Sequence, residues 1–334
     1  MTGVYCWKYT CMKNPLTRID PDLRCVLLLL LLGLVAYADT FCAGFCYDDL
    51  TRIVENDVIV DLTALGKIYS HSRERFLTYL SLALNYHIGK LDPTGYHIFN
   101  FFVHFVAALF LYFLFLETLK TPALAGAEWR FSKRGAALLV AGIFLLHPLQ
   151  TQSVTYVIQR AESMAGMFYL AALFFYVRAK LAETPGLARV YYLFVLVSAL
   201  GAAFSKETAV TLPVMIVAFE VLFFNASILR LVGNRVVILT LIPAGTIIAY
   251  KLGPLIQRGF YYDPGISFTR SQYFFTQFSV LVTYLRLFFW PAGQNLDWDY
   301  PIAITLFKFR TLASLCLLLA VVLLAVVALS LIHI

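Results

Sequence analysis

The feature that most constrains this chain is a series of long apolar runs separated by short polar segments. A transmembrane helix needs about 20 predominantly apolar residues, whereas the strands of a membrane β-barrel alternate apolar and polar positions. Charged residues make up only 13% of the chain, about half the share in a soluble domain. The sequence therefore predicts an all-α, polytopic helical membrane protein with about nine transmembrane helices. The apolar runs cover residues 25–45, 97–119, 135–146, 163–177, 190–204, 209–224, 236–252, 273–290 and 312–331.

Lys and Arg are concentrated in alternate connecting segments, which sets the predicted orientation. The N-terminal segment and three later loops are basic, and residues 47–96, 147–162 and 205–208 are poorer in excess positive charge. The positive-inside bias places the N-terminus in the cytoplasm and those three segments outside. Because the net charge of +7 is explained by cytoplasmic loops, we expect no nucleic-acid partner.

The domain organisation follows from these runs. Residues 1–24 form a cytoplasmic leader, and residues 25–334 form a single transmembrane domain whose first outer loop is 47–96. The stretch from Arg24 to Asp39 also fits a cleaved signal peptide. Apolar character continues beyond that stretch, which favours a retained first helix.

Two adjacent carboxylates, Asp48 and Asp49, lie where the first apolar run ends. An ionisable group at membrane depth is costly and usually functional. One carboxylate could act as general base on an acceptor hydroxyl, or the pair could bind a divalent metal. A solvated helix end is the alternative. Adjacent helical residues point about 100° apart, so only one of the two should face a given site.

The next two predicted outer segments each contain a cation close to a carboxylate. Arg160 precedes the fourth run, where its guanidinium could hold a phosphate through forked hydrogen bonds or pair with Glu162. Lys206 lies between two runs and could contact an anionic lipid group or be neutralised by Glu207.

Two further patterns are possible metal sites. His97, Asn100 and His104 share one helix face, but the two histidines are about 10 Å apart along the axis. Hydrogen-bonded packing groups are therefore favoured over metal ligands. Asp297 and Asp299 form a D-x-D pattern of the kind with which many nucleotide-sugar enzymes hold a metal.

In this order, these residues resemble the multispanning GT-C glycosyltransferases, most closely the transmembrane part of TPR-containing O-mannosyltransferases and their bacterial relatives. The resemblance covers most of residues 40–305. The matching stretches are Asp48-Asp49 with Asn56, Gly95-Tyr96-His97 with Asn100 and His104, His147-Pro148, Tyr156 through Arg160 with Glu162, Ser205-Lys206-Glu207, Tyr284-Leu285-Arg286 with Trp290-Pro291, and Asp297 through Pro301.

The resemblance implies a GT-C-like fold and transfer of a hexosyl or mannosyl group from a polyprenyl-phosphate donor. The acceptor would be a hydroxyl of a protein or glycan at an outward-facing site, and transfer would proceed with inversion. It implies that Asp49, beside Asp48, is the base or acceptor-orienting group, and that Arg160 and Lys206 bind the donor phosphate. The implied supporting residues are Glu162, Glu207, His147 and Asn100.

The expected partners are membrane lipids, the lipid-phosphate sugar and the acceptor; no cofactor is certain. Because such enzymes continue into TPR helices, we expect the C-terminal repeats to be absent or truncated here. The compact loops favour a bacterial inner membrane with the site facing the periplasm, or the endoplasmic reticulum in a eukaryote. The alternatives are a lipid-linked solute transporter or flippase, which should show related halves or broken helices, and a non-catalytic membrane anchor.

Overall fold

The computed structural model describes residues 20–224, 268–296, 298 and 300–332, and of residues 329–332 it describes the backbone alone. In those ranges the chain is all-α, with no strand. Short 3-10 segments and one π-helical turn connect the helices. The helices are α1 Pro21–Ala36, α2 Leu65–His71, α3 Phe76–Gly89, α4 Pro93–Thr118, α5 Lys133–Leu146, α6 Thr151–Val154, α7 Arg160–Lys180, α8 Pro185–Ala203, α9 Leu212–Phe223, α10 Arg270–Phe289 and α11 Phe309–Ile332.

Short polar side chains fix where these helices begin. The side chains of Asp20, Asp92, Ser132, Thr184 and Thr269 each accept a hydrogen bond from a backbone N–H of the first turn that follows. Such caps satisfy N–H groups that have no partner within the helix. Prolines at the first position of α1, α4 and α8 reinforce the same starts.

The predicted apolar runs coincide with helices wherever the structure describes them; the seventh run, 236–252, lies outside the described residues. Several boundaries differ by a few residues. The helices α1, α4 and α8 begin at Pro21, Pro93 and Pro185 rather than at 25, 97 and 190, because a proline follows a capping side chain in each case. The first helix also ends at Ala36, short of the predicted 45. The segment 47–96, the first predicted outer loop, contains α2 and α3.

Three of the described helices, α4, α8 and the Phe309–Ala328 part of α11, are long and apolar enough to cross a membrane. A fourth span is possible if Lys133–Leu146 and Pro148–Val154 count together. With the composition, this indicates an integral membrane protein. The nine spans and the sides on which the loops lie stay predictions.

The described residues separate into two compact units, the first within Met1–His147 and Ser153–Ile242 and the second within Pro148–Gln152 and Pro243–Ile334. In the first unit α7 packs against α4 and α8, while α5 packs against α1 and α4. In the second unit α10 packs against α11, and the Ser279 and Ser314 hydroxyls are 3.2 Å apart. The prediction of a single domain stays a prediction.

Small residues let α7 and α8 approach closely. Ala172 on α7 and Gly201 and Ala202 on α8 are buried. A Cβ added at Gly201 would lie 2.8 Å from the Phe168 ring. Because lipid chains are as apolar as the helix surfaces, van der Waals packing between small residues holds such a pair together.

We expect Gly201→Ala to lower the thermal unfolding midpoint of the purified protein. Overpacking against Phe168 costs about 1–3 kcal/mol, which outweighs the gain of about 1 kcal/mol in helix propensity. Gly186→Ala is the matched control, since Gly186 is exposed on α8 and no atom lies within 4 Å of an added Cβ. Equal midpoints for the two variants would contradict the close approach.

Candidate functional site

A tight turn after the first helix places the two neighbouring aspartates in different environments. The Asp49 N–H donates to the Cys46 carbonyl at 2.9 Å, and the Leu50 N–H donates to the Tyr47 carbonyl at 3.1 Å. Tyr47 adopts a φ of +49°, which is uncommon for a residue with a side chain. This turn leaves Asp48 exposed and buries Asp49 completely, at 0% exposure.

Asp49 connects the turn, through hydrogen bonds, to the segment that precedes α7. Its Oδ1 accepts the Ile158 N–H at 2.8 Å, and its Oδ2 accepts the Cys46 N–H at 3.3 Å. Burial raises the pKa of the Asp49 carboxyl, and the backbone N–H groups that it accepts partly oppose that rise. Both oxygens of Asp49 are therefore engaged inside the protein.

Asp48 is the member of the pair that is open to a substrate. Its N–H donates to the Tyr156 hydroxyl at 3.0 Å, which fixes the backbone, while its side chain is exposed. Among the described residues no hydrogen bond to the Asp48 carboxylate is observed. Tyr47 lies beside it, 60% exposed, with its ring edge-on to Tyr156 at 6.5 Å.

We expect Asp49→Asn to destabilise the protein by about 1–3 kcal/mol, the usual effect of leaving a buried donor without an acceptor. The amide of Asn offers one oxygen, so its nitrogen would face either the Ile158 or the Cys46 N–H. Thermal unfolding in detergent micelles measures the change. Asp48→Asn is the matched control, because that side chain is exposed, and an Asp49→Asn midpoint equal to that of Asp48→Asn would contradict the role of Asp49 as a tie.

Residues 156–162 connect the aspartates to the cations of the site. Tyr156 and Ile158 contact the turn at Asp48 and Asp49, and the Lys206 ammonium lies 3.4 Å from the Gln159 Oε1. This stretch is one of the motifs found in the sequence. In the structure it contacts both the turn at Asp48 and Asp49 and the Lys206 side chain.

Arg160 is fully buried, and its guanidinium bonds to the protein on three sides. Its Nε donates to Asn100 Oδ1 at 2.7 Å, its Nη1 to the Ser81 hydroxyl at 3.2 Å and its Nη2 to the Tyr96 carbonyl at 3.0 Å. Its Cζ also lies 4.3 Å from the centre of the Phe99 ring. In this geometry Arg160 joins α3, α4 and α7, and the expected pairing with Glu162 is not the one observed.

The cations and carboxylates of the two outer segments pair across the fold rather than along the chain. Lys206 Nζ lies 2.6 Å from Glu162 Oε1, and Arg75 Nε lies 3.4 Å from Glu207 Oε1. Of the two alternatives for Lys206, neutralisation by Glu207 is not the pairing observed, because neighbouring side chains in an extended or helical backbone point apart. Arg75 is a candidate residue that the sequence analysis did not single out, and its pairing with Glu207 is seen only in the structure.

The polar stripe of α4 consists of buried packing groups, as predicted. His97 Nε2 lies 2.9 Å from the Ala43 carbonyl, and His104 Nε2 lies 3.2 Å from the Leu145 carbonyl. Asn100 donates to the Val154 carbonyl at 3.1 Å while it accepts from Arg160. His147 is the half-buried residue that ends α5, before Pro148.

The possible metal-binding pair, Asp48 and Asp49, has no further candidate ligands grouped around it in the described part of the chain. There, no group of three or more His, Cys, Asp or Glu side chains could hold a metal ion. Asp49 has both oxygens on backbone N–H groups, and a metal at this pair stays a prediction. Asp297 and Asp299 lie outside the described residues.

Comparison with known proteins identifies relatives of this chain. The chain is 28% identical to the protein O-mannosyl-transferase tmtc2 of Xenopus laevis over 88% of its own length. It is 31% identical to human protein O-mannosyl-transferase TMTC2 over 58% of its length, and 31% identical to Drosophila melanogaster protein O-mannosyl-transferase Tmtc1 over 54%. The chain is homologous to protein O-mannosyl-transferases. The GT-C resemblance drawn from its motifs is thereby confirmed.

The chain matches only part of the length of these relatives. The chain spans 38% of the length of the Xenopus protein, 23% of human TMTC2 and 21% of the Drosophila protein. No family model matches the chain, and no solved structure matches it. These relatives are animal proteins, so the expectation of a bacterial inner membrane is not supported.

Proposed function

We propose that this chain transfers a mannosyl group from a polyprenyl-phosphate donor to a hydroxyl of a protein or glycan acceptor. Transfer would occur on the outer face of the membrane and with inversion. The names of the relatives support the sugar and the protein acceptor. The observation that carries the proposal is the rigid turn that exposes Asp48 while Asp49 anchors it.

The exposure of Asp48 supports a role in proton transfer for Asp48 rather than for Asp49. A general base must come within hydrogen-bond reach of the hydroxyl that it deprotonates. The Asp48 carboxylate is exposed on a backbone that the Tyr156 hydroxyl and the Asp49 tie hold in place. Asp49 is a positioning residue in this assignment, since its oxygens point at backbone N–H groups.

The reaction balances without a cofactor. Asp48 takes the proton of the acceptor hydroxyl, and the oxygen attacks the anomeric carbon from the face opposite the phosphate. The bond between the anomeric carbon and the phosphate oxygen breaks, and the polyprenyl phosphate leaves with the electron pair. One displacement of this kind inverts the configuration at the anomeric carbon.

The donor phosphate would be held by Lys206, with Arg75 as a second cation. The Lys206 side chain is 16% exposed and paired with Glu162, and the Arg75 side chain is 40% exposed and paired with Glu207. A phosphate could compete with these carboxylates for the cations, because charge-assisted bonds to phosphate are strong. Arg160 is a positioning residue in this scheme, since each nitrogen of its buried guanidinium already donates a hydrogen bond to the protein.

An internal membrane of a eukaryotic cell, such as the endoplasmic reticulum, suits the proposal better than a bacterial inner membrane, given the animal relatives. The transporter alternative is not favoured, because the matched relatives are named transferases.

The test is a transfer assay with the full chain in liposomes. The donors are radiolabelled polyprenyl-phosphate mannose, polyprenyl-phosphate glucose and nucleotide-linked mannose, and the acceptor is a peptide rich in Ser and Thr. We expect label on the peptide with the lipid-phosphate mannose alone. Transfer from the nucleotide sugar, or no transfer by folded protein, would overturn the proposal.

A further inference from the structure

An open apolar groove runs along the first unit between α1 and α5. Its volume is about 600 Å³, and its walls include Leu28 and Leu32 on α1 and Leu139 on α5. Leu139 is 63% exposed, so the groove opens at the surface of the unit. Asp48, Asp49, Arg160 and Lys206 are not among its lining residues, whereas His147 lies at the end of the groove opposite Gly135.

Two glycines shape the floor of this groove. Gly135 and Gly142 are seven residues apart on α5 and therefore lie on one helix face. A Cβ at Gly142 would meet only Leu29 Cδ2, at 4.0 Å. The missing side chains leave a continuous channel between two ridges of leucines.

The dimensions of the groove fit one hydrocarbon chain. From Gly135 to Leu146 the groove follows eleven residues of α5, about 17 Å at 1.5 Å per residue. Its volume over that length gives a cross-section of about 35 Å². A helix with side chains is about 10–12 Å across, whereas carbon atoms in contact are about 4 Å apart.

Two basic residues lie at one end of the groove. Lys133 and Arg134 directly precede Gly135, and both are exposed. Arg134 is paired with Asp22 at 2.7 Å, while Lys133 has no ion pair among the described residues. This end is the predicted cytoplasmic one, and anionic lipids of the cytoplasmic leaflet attract basic residues close to a span.

We propose that the groove between α1 and α5 holds one acyl chain of an anionic phospholipid whose headgroup lies at Lys133. The lining of this groove includes neither Lys206 nor Arg75, the cations assigned to the donor phosphate, and its occupant supports the packing of α1 against α5.

Lipid binding to the full chain in detergent micelles tests the groove, with native mass spectrometry counting bound dioleoyl phosphatidylserine. Gly142→Leu and Leu139→Trp fill the channel, and we expect both to lose the phosphatidylserine adduct. Gly186→Leu and Leu193→Trp are the matched controls on α8, where Gly186 and Leu193 are exposed. Binding by the filled variants equal to that of the controls would overturn the proposal.

The headgroup is tested separately. We expect dioleoyl phosphatidylcholine to bind more weakly than phosphatidylserine, and Lys133→Gln to weaken phosphatidylserine binding about fivefold, the effect of one basic residue near an anionic surface. Equal binding of the two lipids would overturn the assignment of the head to Lys133. Dissociation of a dimer by Gly142→Leu with unchanged lipid binding would assign the groove to a second copy of the chain instead.

Discussion

Replacement of Asp48 by Asn is expected to lower mannosyl transfer about 10²–10⁴-fold while the protein stays folded. That range is the usual contribution of a positioned general base. The side chain is exposed, so the amide should leave the thermal midpoint unchanged. The measurement is the rate of label transfer from polyprenyl-phosphate mannose, with the thermal midpoint recorded for the same preparation.

Asp57→Asn is the matched control, since Asp57 is another exposed aspartate of the same loop and has no part in the proposed chemistry. We expect it to retain wild-type transfer. Full activity of Asp48→Asn, together with loss of activity in an Asp49→Asn protein of unchanged stability, would return the role of the base to Asp49.

Replacement of Arg160 by Met should destabilise the protein by about 3 kcal/mol or more. The change leaves Asn100 Oδ1 and the Tyr96 carbonyl without their donor and removes the stacking on Phe99. Each buried polar group left unpaired costs about 1–3 kcal/mol. Thermal unfolding in micelles measures the effect.

Arg160→Lys should not rescue stability, because a lysine cannot reach three acceptors in the planar geometry of a guanidinium. Arg189→Met is the control, at an exposed arginine on α8. If Arg160 bound the donor phosphate directly, Arg160→Met would weaken donor binding at an unchanged midpoint, and that result would contradict the structural role.

Much of the fold could be predicted from the sequence, because an apolar run and a capped start are local properties. The runs that became α4, α7 and α8 stand out by composition, and the prolines at 93 and 185 mark two starts. The π-helical turn at Leu50–Val54 could not be predicted, since it depends on contacts of the preceding turn with residues distant in sequence.

The sequence indicated candidate site residues but not how those residues pair. The sequence indicated that only one of Asp48 and Asp49 should face a site, but the choice depends on the Ile158 N–H, 109 positions away. The pairing of Lys206 with Glu162 likewise depends on how α7 packs against the turn after α8. A pattern in one sequence carries no information about such distant partners.

The tie between Asp49 and Ile158 has a consequence for how freely the chain can vary. The Asp49 carboxylate accepts a hydrogen bond from the backbone N–H of residue 158 and not from the isoleucine side chain. Nineteen amino acids, isoleucine included, have this N–H and can keep the hydrogen bond. Proline alone lacks that donor. Substitutions at position 158 are therefore limited by the hydrophobic contacts of the side chain. The orientation of Asp48, next to Asp49, depends on the backbone N–H of residue 158 instead.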